Sequence, residues 1–145
     1  MDFFENWHKK SELKGKIREL RSQIRDLQSQ IRELNRLISE FNACKQGIDE
    51  VINNWVSQRT TYQNILLEPV KVESYFEGTS AENVKSRLVT TVASLNSANV
   101  TMTTIKCAIP NQIELLEDEI TTLEDEVTAL EGQIEALEAE LAALG

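Results

Sequence analysis

One histidine, two cysteines and two prolines stand in 145 residues, and each shortage closes off a class of chemistry. His8 alone cannot build a His-rich metal site, and Cys44 and Cys107 are far from metal-ligand spacing. Neither a Gly-rich phosphate loop nor a nucleophile elbow occurs. With nothing nearby to desolvate a carboxylate, the many Glu residues read as a solvated helical face rather than as acid–base pairs. No catalytic residue, cofactor site or metal site is expected. No run approaches the roughly 18 consecutive apolar residues of a membrane span. The opening Met1-Asp2-Phe3-Phe4-Glu5 lacks the basic and apolar regions of a cleavable signal peptide.

Basic residues are also missing where they would be most conspicuous. From Ile113 to Gly145 there are eleven acids and no Lys or Arg. Those acids flank an unbroken stripe of Ile113, Leu116, Ile120, Leu123, Val127, Leu130, Ile134, Leu137, Leu141 and Leu144. Alternating steps of three and four keep one narrow apolar seam along a helix, the signature of a coiled coil. The e and g positions beside it are nearly all Glu, so two such helices in parallel would set carboxylate against carboxylate.

A basic counterpart lies at the other end of the chain. A second seam runs through Leu13, Ile17, Leu20, Ile24, Leu27, Ile31, Leu34 and Ile38, and residues 9–36 carry nine Lys or Arg against four acids. Exposed ion pairs contribute little energy singly, but their pattern selects partner and orientation. The two segments together predict an all-α fold, an elongated antiparallel two-helix coiled-coil hairpin in a single domain. The net charge of −9, with a basic half matched by an acidic one, argues against nucleic-acid binding.

The reversal falls between the seams. Pro69 stops a helix and biases Glu68 away from helical geometry. Thr79-Ser80-Ala81-Glu82 has the form of a capping box. The expected elements are helix 1 over about 5–67, a turn over about 68–79 and helix 2 over about 80–144. With the bend centred near residue 74, facing residue numbers sum to about 148, which sets the basic segment on the acidic one. Ile17 should then lie near Leu130 or Ile134, and Ile31 near Leu116 or Ile120.

Helix 2 carries one interruption. Leu88, Leu95, Met102, Ile109 and Leu116 keep a single seven-residue phase across Pro110. An interior Pro costs roughly 3 kcal/mol, so a kink or short break is expected at 108–111. Lys85, Asn99 and Lys106 interrupt the companion apolar positions. Cys44 and Cys107 fall at nearly the same level of the hairpin, and two separate buried thiols are favoured over a disulfide. Phe3, Phe4 and Trp7 stand beside Lys9 and Lys10, a setting that suits an anionic membrane surface, but capping of the open end against Leu137 to Leu144 is the favoured expectation. Aromatics between Phe41 and Phe76 mark the expected docking surface for a helical protein partner, with Trp55, Tyr62, Leu66, Tyr75, Phe76 and Gly78 as its residues. Positive φ is expected at Gly78, where the chain reverses.

A long helix, a short loop with Tyr75-Phe76-Glu77-Gly78, and Thr79-Ser80-Ala81 opening a second helix resemble the WXG-type helical hairpins of type VII secretion. Phe76 stands where that family has Trp. The chain length and the Ser/Thr-rich start of helix 2 are similar to YwqH-like relatives associated with LXG toxins. The resemblance implies a small adaptor or chaperone-like partner, without enzymatic activity, that binds the helical N-terminal region of such a toxin, or a related small helical protein. No Tyr-x-x-x-Asp/Glu tetrad follows helix 2. The resemblance therefore implies residence in the bacterial cytoplasm, with any secretion or cell-surface display depending on the partner. Two other readings stay open: a coiled-coil scaffold or homo-oligomerisation protein, and a prefoldin-like chaperone arm. The last sets paired terminal helices around β-hairpins, and residues 69–79 are too few for that β body.

Overall fold

The computed structural model describes residues 2–67 and 78–145, without the side chains of residues 67 and 79. Two α-helices account for nearly all of them: α1, Phe3–Leu67, and α2, Thr79–Ala143. No strand occurs among the described residues. The two helices pack antiparallel against each other, as the opposed charge of the seams requires. Their residues group into two compact units, Met1–Ser39 with Ile113–Gly145, and Glu40–Gln112.

The first unit is an aliphatic coiled coil. Ile17, Ile24, Val127 and Ile134 form a buried cluster, with Leu20, Leu27, Ile31, Leu130, Leu137 and Leu141 packed against it. All ten are seam residues, so the heptad pattern alone selects what is buried. Charge pairing follows the seam. The Lys9 ammonium lies 3.2 Å from Glu140, and Arg21 pairs with Glu138. Asn6 and Lys10 donate to the carbonyls of Leu144 and Gly145 at 3.4 and 2.7 Å.

The second unit has a different seam. Ile48, Ala81, Val92 and Ile109 are buried, and so is Asn99. Lys45, Arg59, Lys85, Asn99 and Lys106 all occupy heptad a positions here. Lys106 bonds to Asp49 across the seam, and the Arg59 guanidinium donates to Asn96 Oδ1 at 3.1 Å. A polar residue at an a position weakens a coiled coil, and where it has a partner across the seam, as Lys106 and Arg59 do, it favours that register, because slippage would remove the partner.

The register differs from the expected one. Asp49 with Lys106 and Arg59 with Asn96, like Lys10 with Gly145, are pairs whose numbers sum to 155 rather than about 148. The displacement is one heptad. A shift of seven still sets the aliphatic a and d residues of the first unit against apolar partners, so that part of the seam is nearly indifferent to it. Ile17 still shares a cluster with Ile134, but it also lines a shallow groove with Glu138 and Leu141.

The local expectations at Pro110 and at the cysteines are met in part, and the one at Gly78 in full. Helix α2 runs through Pro110 without a break. Pro110 is exposed, and the inward residues Lys106, Ile109 and Ile113 keep their phase on both sides of it. Packing of the seam holds the helix together where local propensity would interrupt it. Cys44 and Cys107 are free, as favoured, yet both are exposed rather than buried, since neither falls on an a or d position. Gly78 has the positive φ expected of it, 56°, and its carbonyl accepts the Glu82 amide at 3.4 Å. The Thr79 hydroxyl of the expected capping box lies outside the described residues.

Because α2 is continuous at Pro110, Pro110→Ala restores a backbone donor to an intact helix. It should raise stability by about 1–3 kcal/mol in urea denaturation followed by circular dichroism, with helical ellipticity almost unchanged. A clear gain in ellipticity would mean that the natural helix is broken there.

Candidate functional site

The residues expected to bind a partner separate into two sets. Trp55, Tyr62 and Leu66 sit at the d, d and a positions of α1 in the Glu40–Gln112 unit, each half-buried along the seam. Gly78 is exposed at the start of α2. A side chain there would meet nothing within 4 Å, so the left-handed backbone, not lack of space, is what selects glycine. Tyr75 and Phe76 lie outside the described residues. The structure thus brings Trp55, Tyr62 and Leu66 onto one stripe of one helix.

A more open apolar surface lies elsewhere. Phe3, Phe4 and Trp7 are 75%, 69% and 57% exposed, so they do not cap the hairpin as expected. Phe4 and Trp7 fall at b and e positions of the heptad, outside the a and d seam, so neither faces α2 in either register. Asn6 and Lys10 meet the end of α2 in their place. Phe3 and Phe4 stack edge to face with ring centroids 5.7 Å apart, and Trp7 does the same with His8 at 5.4 Å. These contacts are between sequence neighbours and leave the outer ring faces to solvent. The signal was present in the sequence as three aromatics within five residues. The heptad phase is the signal that separates two of them from the seam, since Phe4 and Trp7 fall at b and e.

The chemistry of the described surface is that of binding. No group of three or more His, Cys, Asp or Glu able to hold a metal ion occurs among the described residues. The concavities between the helices are shallow grooves lined by seam and flanking residues, such as Gln23, Leu27, Leu130 and Gln133. No helix among the described residues is long and apolar enough to cross a membrane. Among the described residues, Glu33 and Lys106 are both perturbed, chiefly by a hydrogen bond to an oppositely charged neighbour. The hydrogen bond from Arg36 holds the Glu33 carboxyl below its ordinary range. The hydrogen bond to Asp49 raises Lys106 above its own.

An antiparallel pair of long helices with exposed aromatics is the setting in which comparison becomes informative. The family model described as Prefoldin subunit matches residues 20–145. The chain belongs to the prefoldin subunit family. No curated protein and no solved structure matches it. Membership makes this a small helical coiled-coil protein of chaperone type, a family whose members bind other proteins. It also overturns the resemblance to WXG-type hairpins and LXG-toxin partners. That resemblance rested on Phe76 to Ala81, and a glycine-containing reversal before a helix is something any helical hairpin needs. The family match runs along both seams instead. The paucity of residues between the helices was wrongly weighed against a prefoldin arm, because it bears on the β-hairpins and not on the paired helices.

In this prefoldin-family chain the Lys106–Asp49 bond offers a direct probe of the polar seam. Because Lys106 is raised in the folded state, its contribution is fully present below its unfolded value, near 10.4, and is lost as pH rises through the higher folded value. The midpoint of thermal unfolding should therefore fall through strongly alkaline pH, and Asp49→Asn should flatten that fall. Parallel curves for the two proteins would show that the pair does not stabilise the fold.

Proposed function

We propose that this prefoldin-family hairpin is a holding chaperone that captures apolar segments of non-native proteins on Phe3, Phe4 and Trp7. The observation that carries the reading is the exposure of these three rings. Aromatic side chains bury a large area at little cost in conformational entropy, and clusters of this size on soluble proteins are commonly binding sites. Their setting suits a broad range of clients. Lys9 and Lys10 stand beside the rings, and the acidic tail, from Ile113 onward, carries charge that keeps a loaded complex soluble. The partner is thus an exposed hydrophobic stretch of another protein, and the cytoplasm is the compartment that the family assignment favours. Trp55, Tyr62 and Leu66 belong in this reading to assembly rather than to client capture, since they lie along the seam.

The test is suppression of aggregation, followed by light scattering as a chemically unfolded protein is diluted from denaturant. The natural chain should suppress scattering at a near-stoichiometric ratio. The triple variant Phe3→Ser, Phe4→Ser, Trp7→Ser should bind clients roughly 10- to 100-fold more weakly, as expected when aromatic anchors are removed. Its helix content should stay the same. Full suppression by the triple variant would remove this site from the function.

A further inference from the structure

A row of cations continues from the aromatic start of α1. Phe4 and Trp7 fall at b and e positions, and the b and e residues that follow them are Ser11, Lys14, Arg18 and Arg21. Steps of three and four place these residues along one edge of the helix. The acids of this part of α1, Glu5, Glu12 and Glu19, all fall at c positions, on the other edge. No acid of α1 therefore stands between the rings and the cations.

The cations differ in what they already hold. Arg21 pairs with Glu138. On the other edge Lys16 pairs with Glu12 at 3.0 Å and Lys9 with Glu140 at 3.2 Å. Lys14 and Arg18 are exposed, and neither makes an ion pair among the described residues. The Arg18 Nε donates to the Lys14 carbonyl at 3.4 Å, which turns the guanidinium back toward Lys14. Both side chains border a groove with Ile17 and Leu141 as its apolar residues and Glu138, held by Arg21, as its one acid. Glu131 and Glu135, next along this edge of α2, close the cationic stretch beyond Arg21. The grooves of the other edge have the opposite character, with Glu19, Asp26 and Glu126 in their walls and Lys16 as the one cation.

We propose that the aromatic site selects apolar segments with Asp or Glu close by, the apolar side chains seated on Phe4 and Trp7 and the carboxylates on Lys14 and Arg18. The inference rests on client capture at the rings and names the class of segment taken there. Lys14 is seven residues from Trp7 and Arg18 eleven, or about 10.5 and 16.5 Å along the helix. An extended chain advances about 3.3 Å per residue, so the acids belong about three to five positions from the apolar anchor. An ammonium and a planar guanidinium one turn apart suit carboxylates, the second through its paired donors. At physiological salt an exposed charge acts over about 8 Å, so these two cations outweigh the more distant acids of α2.

The test uses the full chain and three labelled peptides with one shared apolar core, followed by fluorescence anisotropy. The core is flanked on both sides, at about four positions, by two Glu, two Gln or two Lys. The natural chain should bind the Glu peptide about 3- to 10-fold more tightly than the Gln peptide, as two exposed ion pairs allow, and the Lys peptide least. Lys14→Gln with Arg18→Gln should bring the Glu peptide to the level of the Gln peptide, with circular dichroism unchanged. Arg32→Gln with Arg36→Gln removes the same charge farther along α1 and should keep the preference. Equal binding of the three peptides would overturn the inference while client capture stands. So would a preference that survives Lys14→Gln with Arg18→Gln, or one that Arg32→Gln with Arg36→Gln removes as fully. A natural chain that binds none of the peptides would remove client capture and the inference with it.

Discussion

The fold depends on one strip of contacts, the a and d side chains along which α1 and α2 meet. Two helices enclose no thick core, and the most protected residues, Leu13, Ile17, Ile48, Ala81 and Ile109, keep 4–6% of their surface exposed. Stability is therefore spread along the seam rather than concentrated in a centre. Each helix is too rich in charge or in poor helix formers to rely on its own propensity. The continuity of α2 through Pro110 shows the same dependence, since in-phase packing on both sides offsets a local cost that would interrupt a free helix.

The composition of the seam divides the work between the two units. In the Met1–Ser39 and Ile113–Gly145 unit the seam is aliphatic and the flanks are oppositely charged, which gives strength and an unambiguous antiparallel sense. In the Glu40–Gln112 unit the seam holds Lys45, Arg59, Lys85, Asn99 and Lys106. These residues weaken burial there, while Lys106, bonded to Asp49, and Arg59, bonded to Asn96, resist slippage. Register is thus specified where polar residues interrupt the seam, while the aliphatic stretch supplies affinity without specifying register.

That division also explains what could be read from the residues. Helix type, antiparallel sense and the matching of the basic segment to the acidic one followed from period and charge, because both properties survive translation along the helix. The register did not follow, because a seven-residue displacement still sets aliphatic a and d residues of the first unit against one another. The polar pairs that decide it, Lys106 with Asp49 above all, look in the sequence like blemishes. The exposure of the aromatic start of α1 has a simpler source: Phe4 and Trp7 fall at b and e positions, off the seam whatever the register. The family was misread for a related reason. A motif of six residues at the turn outweighed two seams, although the seams carry the larger part of the information. Trp55, Tyr62 and Leu66 were recognised as excess apolar area, but sequence alone does not separate a half-open seam from an external docking face.

The central claim is that clients are held at the aromatic start of α1. Site-specific photo-crosslinking examines it directly, with a benzophenone side chain replacing Phe4 in one protein and Trp55 in another, each mixed with an unfolded client. The account predicts abundant client adducts from position 4, and from position 55 only crosslinks within or between copies of the chain. Client adducts from position 55 with none from position 4 would contradict it.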